Sequence, residues 1–165
     1  MKRALLLTGK PGTGKTALIK EALAGTKVRA GGFYTEEMRA GGAREGFRLV
    51  TLDGQSTVLA HVGISGPLQV SKYKVDTGAL DRVGVAALRR ALGESDLIVI
   101  DEIGKMELLS PGFREVVAEA INSDKRVLGT IMLSPDPFAD GIKRHPEVEL
   151  LLVTADNRTE VMKDV

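Results

Sequence analysis

The stretch "ALLLTGKPGTGKT", residues 4–16, decides the fold. A short apolar run predicts a buried first strand over residues 3–8. Gly9, Lys10, Pro11, Gly12, Thr13, Gly14, Lys15 and Thr16 then fit G-x-x-x-x-G-K-[ST], the phosphate-binding loop. Phosphate is multiply charged and needs several donors at once. Backbone N–H groups supply them where side chains stay clear, which accounts for three glycines in eight residues. The loop runs into a helix over 15–24 with Leu18, Ile19, Ala22 and Leu23 on one stripe, so the positive end of the helix dipole meets the anion. Lys15 would reach the β- and γ-phosphates, and Thr16 would offer its hydroxyl to Mg²⁺.

Working outward, short apolar runs alternate with helical stretches, as in α/β domains. Strands are expected at 31–38, 46–54 and 56–62, with "RAGGAR" (39–44) as a flexible turn and Asp53-Gly54 as another. These form an added antiparallel hairpin or meander. A short strand is expected at 71–76. A helix follows with Leu80, Val83, Ala87, Leu88 and Ala91 on one face, capped by Asp76 or Thr77. "LIVI" (97–100) reads as a buried strand, and Ser110-Pro111 as a helix start before Phe113, Val116, Val117, Ala120 and Ile121. Strands at 126–133 and 148–154, a short helix between them and a terminal helix over 157–165 complete the pattern. The whole chain, 1–165, reads as a single domain.

A second constellation follows the "LIVI" strand. Asp101 and Glu102 sit at its carboxyl end, where α/β sheets bind ligands. If this strand lies beside the first, Asp101 arrives near Thr16 and can hold Mg²⁺ through water, as a Walker-B aspartate does. Glu102 could then orient or deprotonate a water aimed at the γ-phosphorus. If the strand of Thr130 adjoins that of Asp101, its hydroxyl could sense the γ-phosphate or hold water; otherwise it is a buried threonine in the ladder. Lys105 and Glu107 follow on a loop, either closing the site or solvated. Arg39, Arg44, Arg48, Arg144 and Arg158 are five possible sources of transition-state charge, none of them singled out by the sequence.

Composition narrows the alternatives. Among 165 residues the net charge is +1 and aromatics are 4%. Neither favours a nucleic-acid motor or a single-strand binder. The opening apolar run is too short for a leader or a membrane span. The absence of cysteine excludes disulfides and fits a cytoplasmic protein. His61 and His145 are isolated and have no metal-ligand spacing. No N-K-x-D guanine signature occurs. Oligomeric state is open, a monomer included.

The chain resembles the cancer-related nucleoside-triphosphatases, a group of small P-loop proteins found from thermophilic prokaryotes to animals. The resemblance rests on "GKPGTGKT" (9–16), "GGFYTEEMR" (31–39), "GFRLVTLDG" (46–54), "YKVD" (73–76), "IDEIGKMEL" (100–108), "GTI" (129–131) and "VTADNR" (153–158). It implies a RecA-like three-layer sandwich with a mostly parallel central sheet. It also implies Mg²⁺-dependent hydrolysis of nucleoside triphosphates to diphosphate and phosphate, with broad base tolerance. Nucleotide-binding positions carried over are 9–16 with Asp101, Glu102, Ile103 and Gly104. Asn157 and Arg158 match the family's C-terminal motif near the base or ribose. Two other readings use the same loop: a nucleoside or nucleotide kinase, and a nucleotide-dependent binding switch.

Overall fold

The computed structural model describes residues 2–157. One nine-stranded sheet runs through it, in the order β5-β6-β4-β3-β2-β7-β8-β1-β9. The strands are β1 (Ala4–Thr8), β2 (Ala30–Ala40), β3 (Ala43–Thr51), β4 (Ser56–His61), β5 (Gln69–Val70), β6 (Tyr73–Val75), β7 (Leu97–Ile103), β8 (Arg126–Ile131) and β9 (Val148–Leu152). From β2 to β9 every pairing is parallel; from β2 to β5 every pairing is antiparallel. The antiparallel part is therefore a meander continuous with the main sheet and larger than one hairpin.

Side-chain alternation along the parallel strands builds two cores. Leu6, Ile98, Ile100 and Val127 face one side; Leu7, Val99 and Leu128 face the other. The second face receives Leu18 and Ile19 of α1 (Lys15–Ala24). The first receives Leu88 of α3 (Ala86–Glu94) and the expected stripe of α4 (Pro111–Asn122), with Phe113 tilted against Phe33. Helices on both faces make three layers. α2 (Thr77–Ala79) enters α3 through a π-helical segment, Leu80–Val85. Asp76 caps α2, accepting from Ala79 N at 2.9 Å, and Ser110 caps α4, accepting from Phe113 N at 3.0 Å. The last described helix is α5 (Pro137–Lys143).

Several expectations need correction. The segment 39–44 is not a loose turn: strand pairing continues to Arg39↔Arg44 and Ala40↔Ala43, and the chain reverses at Gly41 and Gly42, both at positive φ. The strand β5 escaped notice because two residues carry no period. β7 does not lie beside β1, because β8 runs between them. β7 also extends past Ile100, so Asp101 and Glu102 belong to the strand. The expected terminal helix falls mostly outside the described residues, as does Arg158.

Candidate active site

The loop after β1 closes tightly. Gly9, Gly12 and Gly14 have φ of 155°, 83° and 85°. A Cβ on Gly9 would overlap the carbonyl oxygen of Val153, so glycine is required there by space as well as by dihedral. Gly14 holds the N-cap position of α1, and Leu18 N begins the helical ladder on its carbonyl at 3.1 Å. Lys15 folds across the loop: its Nζ donates to the Gly9 carbonyl at 2.6 Å and lies 3.4 Å from that of Lys10. Thr13 Oγ1 donates to the Lys10 carbonyl at 3.0 Å.

Asp101 arrives from two strands away. Between Ile100 and Ile103 its strand slips against β8: Ile100 opposes Gly129, and Ile103 opposes Ile131. Three steps on β7 thus match two on β8, which is a β-bulge carrying Asp101 and Glu102. In a regular strand these neighbours would face opposite sides of the sheet. Here both border one cavity, together with Lys15 and Thr16.

The intervening strand contributes as well. Thr16 Oγ1 donates to Asp101 Oδ2 at 2.7 Å, and Thr130 Oγ1 donates to Asp101 Oδ1 at 2.6 Å. One hydroxyl from each neighbouring element holds each carboxylate oxygen. Asp101 and Thr130 are buried, while Glu102 is only half-buried and reaches the cavity. Burial raises the Asp101 carboxyl above its ordinary value; the bonds from Thr130 and Thr16, a backbone bond from Thr35 and the charge of Lys15 oppose this. Burial also raises Glu102, the adjacent Asp101 adds to the rise, and Lys15 opposes it. Glu107, in the turn after β7, is buried and not solvated. Its carboxyl is pushed well up by burial and by the charges of Glu102 and Asp101, with backbone bonds at Glu107 and Gly104 opposing. Lys105 is exposed at the rim.

The donor set suits Mg²⁺. A threonine hydroxyl and a carboxylate are hard oxygen donors, and among the described residues no cluster of three or more His, Cys, Asp or Glu forms a complete metal cage. A cation that keeps water and phosphate oxygens in its shell needs no such cage.

Of the five arginines, Arg44 borders the same cavity. Its Nη2 lies 3.2 Å from Glu37 Oε1, its guanidinium sits 5.5 Å from the Phe47 ring centre, and its buried Nε has no hydrogen-bond partner. Arg39 binds the other oxygen of Glu37 at 2.9 Å and is exposed, as are Arg48 and Arg144. Sequence could not single out Arg44, because its place depends on the reversal at Gly41 and Gly42. Asn157 accepts from Thr154 N and donates to the Leu152 carbonyl, both at 2.7 Å, and so shapes the segment beside Gly9. Ile103 is buried among the core residues, and Gly104 accepts from Leu108 N at 2.9 Å, anchoring the turn beyond the acids.

Comparison with known proteins gives a consistent result. A family model described as NTPase matches residues 4–165. The chain is 47% identical over 161 residues to the nucleoside-triphosphatase THEP1 of Thermotoga maritima, covering 98% of this chain and 92% of the relative. It is 38% identical over 181 residues to the human cancer-related nucleoside-triphosphatase, covering 100% and 95%. The crystal structure of THEP1 from Aquifex aeolicus superposes with a TM-score of 0.90 at 33% identity, covering 98% and 95% of the two chains. No helix among the described residues is long and apolar enough to cross a membrane. With the P-loop, the bulged acids and the mixed sheet in place, the chain belongs to the THEP1 and cancer-related nucleoside-triphosphatase family.

Proposed function

We propose that this protein hydrolyses nucleoside 5′-triphosphates to the diphosphate and phosphate, with Mg²⁺ and without strict choice of base. The observation that carries the reading is the convergence of Thr16 and Thr130 on Asp101, with Glu102 beside them on the cavity that the P-loop borders. The names of the relatives specify nucleoside triphosphates and no base, which agrees with broad tolerance.

In this reading the loop amides cradle the phosphates, and Lys15 leaves its loop carbonyls to meet the β- and γ-oxygens. Thr16 and Asp101 would hold Mg²⁺, which supplies charge neutralisation on the phosphate oxygens. Glu102 positions water in line with the γ-phosphorus and takes its proton. Its raised pKa keeps it basic enough for that transfer. Arg44 offers a cation on the same cavity.

The test is phosphate release from each triphosphate, with Mg²⁺ or chelator, in wild type and Glu102→Gln. The wild type should release phosphate only with Mg²⁺. The variant should still bind triphosphate and release phosphate about 10²–10⁴-fold more slowly, the usual contribution of a positioned base. Undiminished release by Glu102→Gln would remove this residue from the mechanism.

A further inference from the structure

Two cavities meet at the P-loop. Lys15 and Glu102 border both. Thr13, Gly14 and Thr16 face only the one that holds Asp101 and Arg44. Gly9 and Lys10 face only the other. In a P-loop the backbone cradles the α- and β-phosphates and the lysine reaches the β/γ end. On that scheme the second cavity lies toward the γ end, past Lys15 and beside Glu102.

That second chamber is about 480 Å³. Water occupies roughly 30 Å³ of liquid. Small-molecule sites span about 300–1,000 Å³. Hydrolysis alone does not call for so large a space in front of the γ-phosphate. Part of its wall is apolar. Phe47 of β3, Leu59 of β4, Val70 of β5, Met106 after β7, and Met132 and Leu133 after β8 converge on it from five parts of the chain. Leu59 and Met132 are buried, so part of the wall is fixed core. Lys10, Thr35, Lys105, Glu107 and Ser134 add polar and charged groups around that apolar wall, which can orient a ligand.

We propose that this chamber admits a hydroxyl-bearing molecule of up to nucleoside size with an apolar body, and that the γ-phosphoryl group passes to it. The hydroxyl oxygen forms a bond to the γ-phosphorus. The bond from that phosphorus to the β,γ-bridging oxygen breaks, and its electron pair leaves with the nucleoside diphosphate. The hydroxyl proton moves to the Glu102 carboxylate and then to solvent. The products are a phosphomonoester and a diphosphate. This rests on the hydrolase reading of the same site, with water reacting when no alcohol fills the chamber.

The test uses Mg²⁺ and γ-labelled triphosphate, with 1-butanol or glycerol at equal concentration as nucleophile. Alkyl phosphate and inorganic phosphate are measured together. The expected result is butyl phosphate above the share set by the concentrations of butanol and water, and well above glycerol phosphate, because part of the wall is apolar. Val70→Trp and, on the exposed loop, Leu133→Trp should return the ratio toward water. Two results overturn the proposal: phosphate release with butyl phosphate at or below its concentration share, or triphosphate KM rising in both tryptophan variants at an unchanged product ratio. The latter would mean the chamber holds the nucleotide's base. Absence of any phosphate release would instead sink the hydrolase reading.

Discussion

The hydroxyl of Thr16 and the carboxylate of Asp101 lie 2.7 Å apart although β8 separates the two strands that deliver them. The gap is bridged in two ways. Helix α1 carries Thr16 past the end of β1, and Thr130 on β8 holds the second oxygen of Asp101 at 2.6 Å. Thr130→Val keeps the shape of the side chain and removes that donor. A buried carboxylate left short of a partner costs about 1–3 kcal/mol. Urea denaturation should register that loss for Thr130→Val, while Thr130→Ser, which keeps the hydroxyl, should lie closer to wild type. Equal stability of the valine variant and wild type would show that this bond contributes nothing net.

Glu107 gives a pH prediction. Its folded-state pKa lies well above the ordinary glutamate value, because burial and the neighbouring Glu102 and Asp101 disfavour its charge. Such a group binds its proton more tightly in the folded protein than in the unfolded chain. Its stabilisation is complete below the unfolded pKa and is lost as pH rises through the folded pKa. Glu107→Gln cannot ionise and escapes that loss. Without added metal, wild-type stability should fall, as pH rises above the ordinary glutamate range, by a component that the variant lacks. At the high-pH end of that fall the variant should be the more stable protein. Urea titrations across that range would expose the error if the two profiles ran parallel.

Sequence disclosed the parts of the site that depend on neighbours along the chain. The P-loop is contiguous, and its glycines and Lys15 do their work within eight residues. The caps at Asp76 and Ser110, and the stripe of α4, were legible for the same reason. Long-range order was less so. Nothing in "LIVIDEI" announces a slip against β8, yet that slip turns Asp101 and Glu102 toward one cavity. Strand order is likewise a tertiary choice: β1 could neighbour β7 by pattern alone, and the inserted β8 brings Thr130 into the site. Glu107 read as a loop acid because local pattern cannot show that the turn after β7 tucks under the core.

Gly9 tests the shape of the cradle itself. Its φ of 155° and the closeness of the Val153 carbonyl leave no room for a side chain. Gly9→Ala must shift either the loop or the segment after β9. Triphosphate affinity should fall, measured by calorimetry with Mg²⁺, and the loss should exceed that of Gly12→Ala, which also puts a side chain at positive φ but meets nothing within 4 Å. Similar affinities for the two variants would mean that the overlap with the Val153 carbonyl adds no cost of its own.

Among the described arginines, Arg44 borders the cavity, and its partners explain how it is held. Glu37 anchors one end of the guanidinium at 3.2 Å, Phe47 supports its face, and the buried Nε is left unpaired. An arginine already fixed by a carboxylate loses less side-chain freedom when it meets developing negative charge. Arginines that meet such charge in phosphoryl transfer are worth about 10³–10⁵ in kcat. The ion pair with Glu37 is partly exposed and so contributes little to folding. Arg44→Ala should therefore unfold near the wild-type temperature and yet release phosphate on the order of 10³-fold more slowly. Arg44→Lys should recover only part of the rate, because a point charge lacks the planar fork. Steady-state kinetics separate the possibilities. A fall in kcat with little change in KM places the interaction in the transition state, whereas a rise in KM at constant kcat would reduce Arg44 to a ground-state contact.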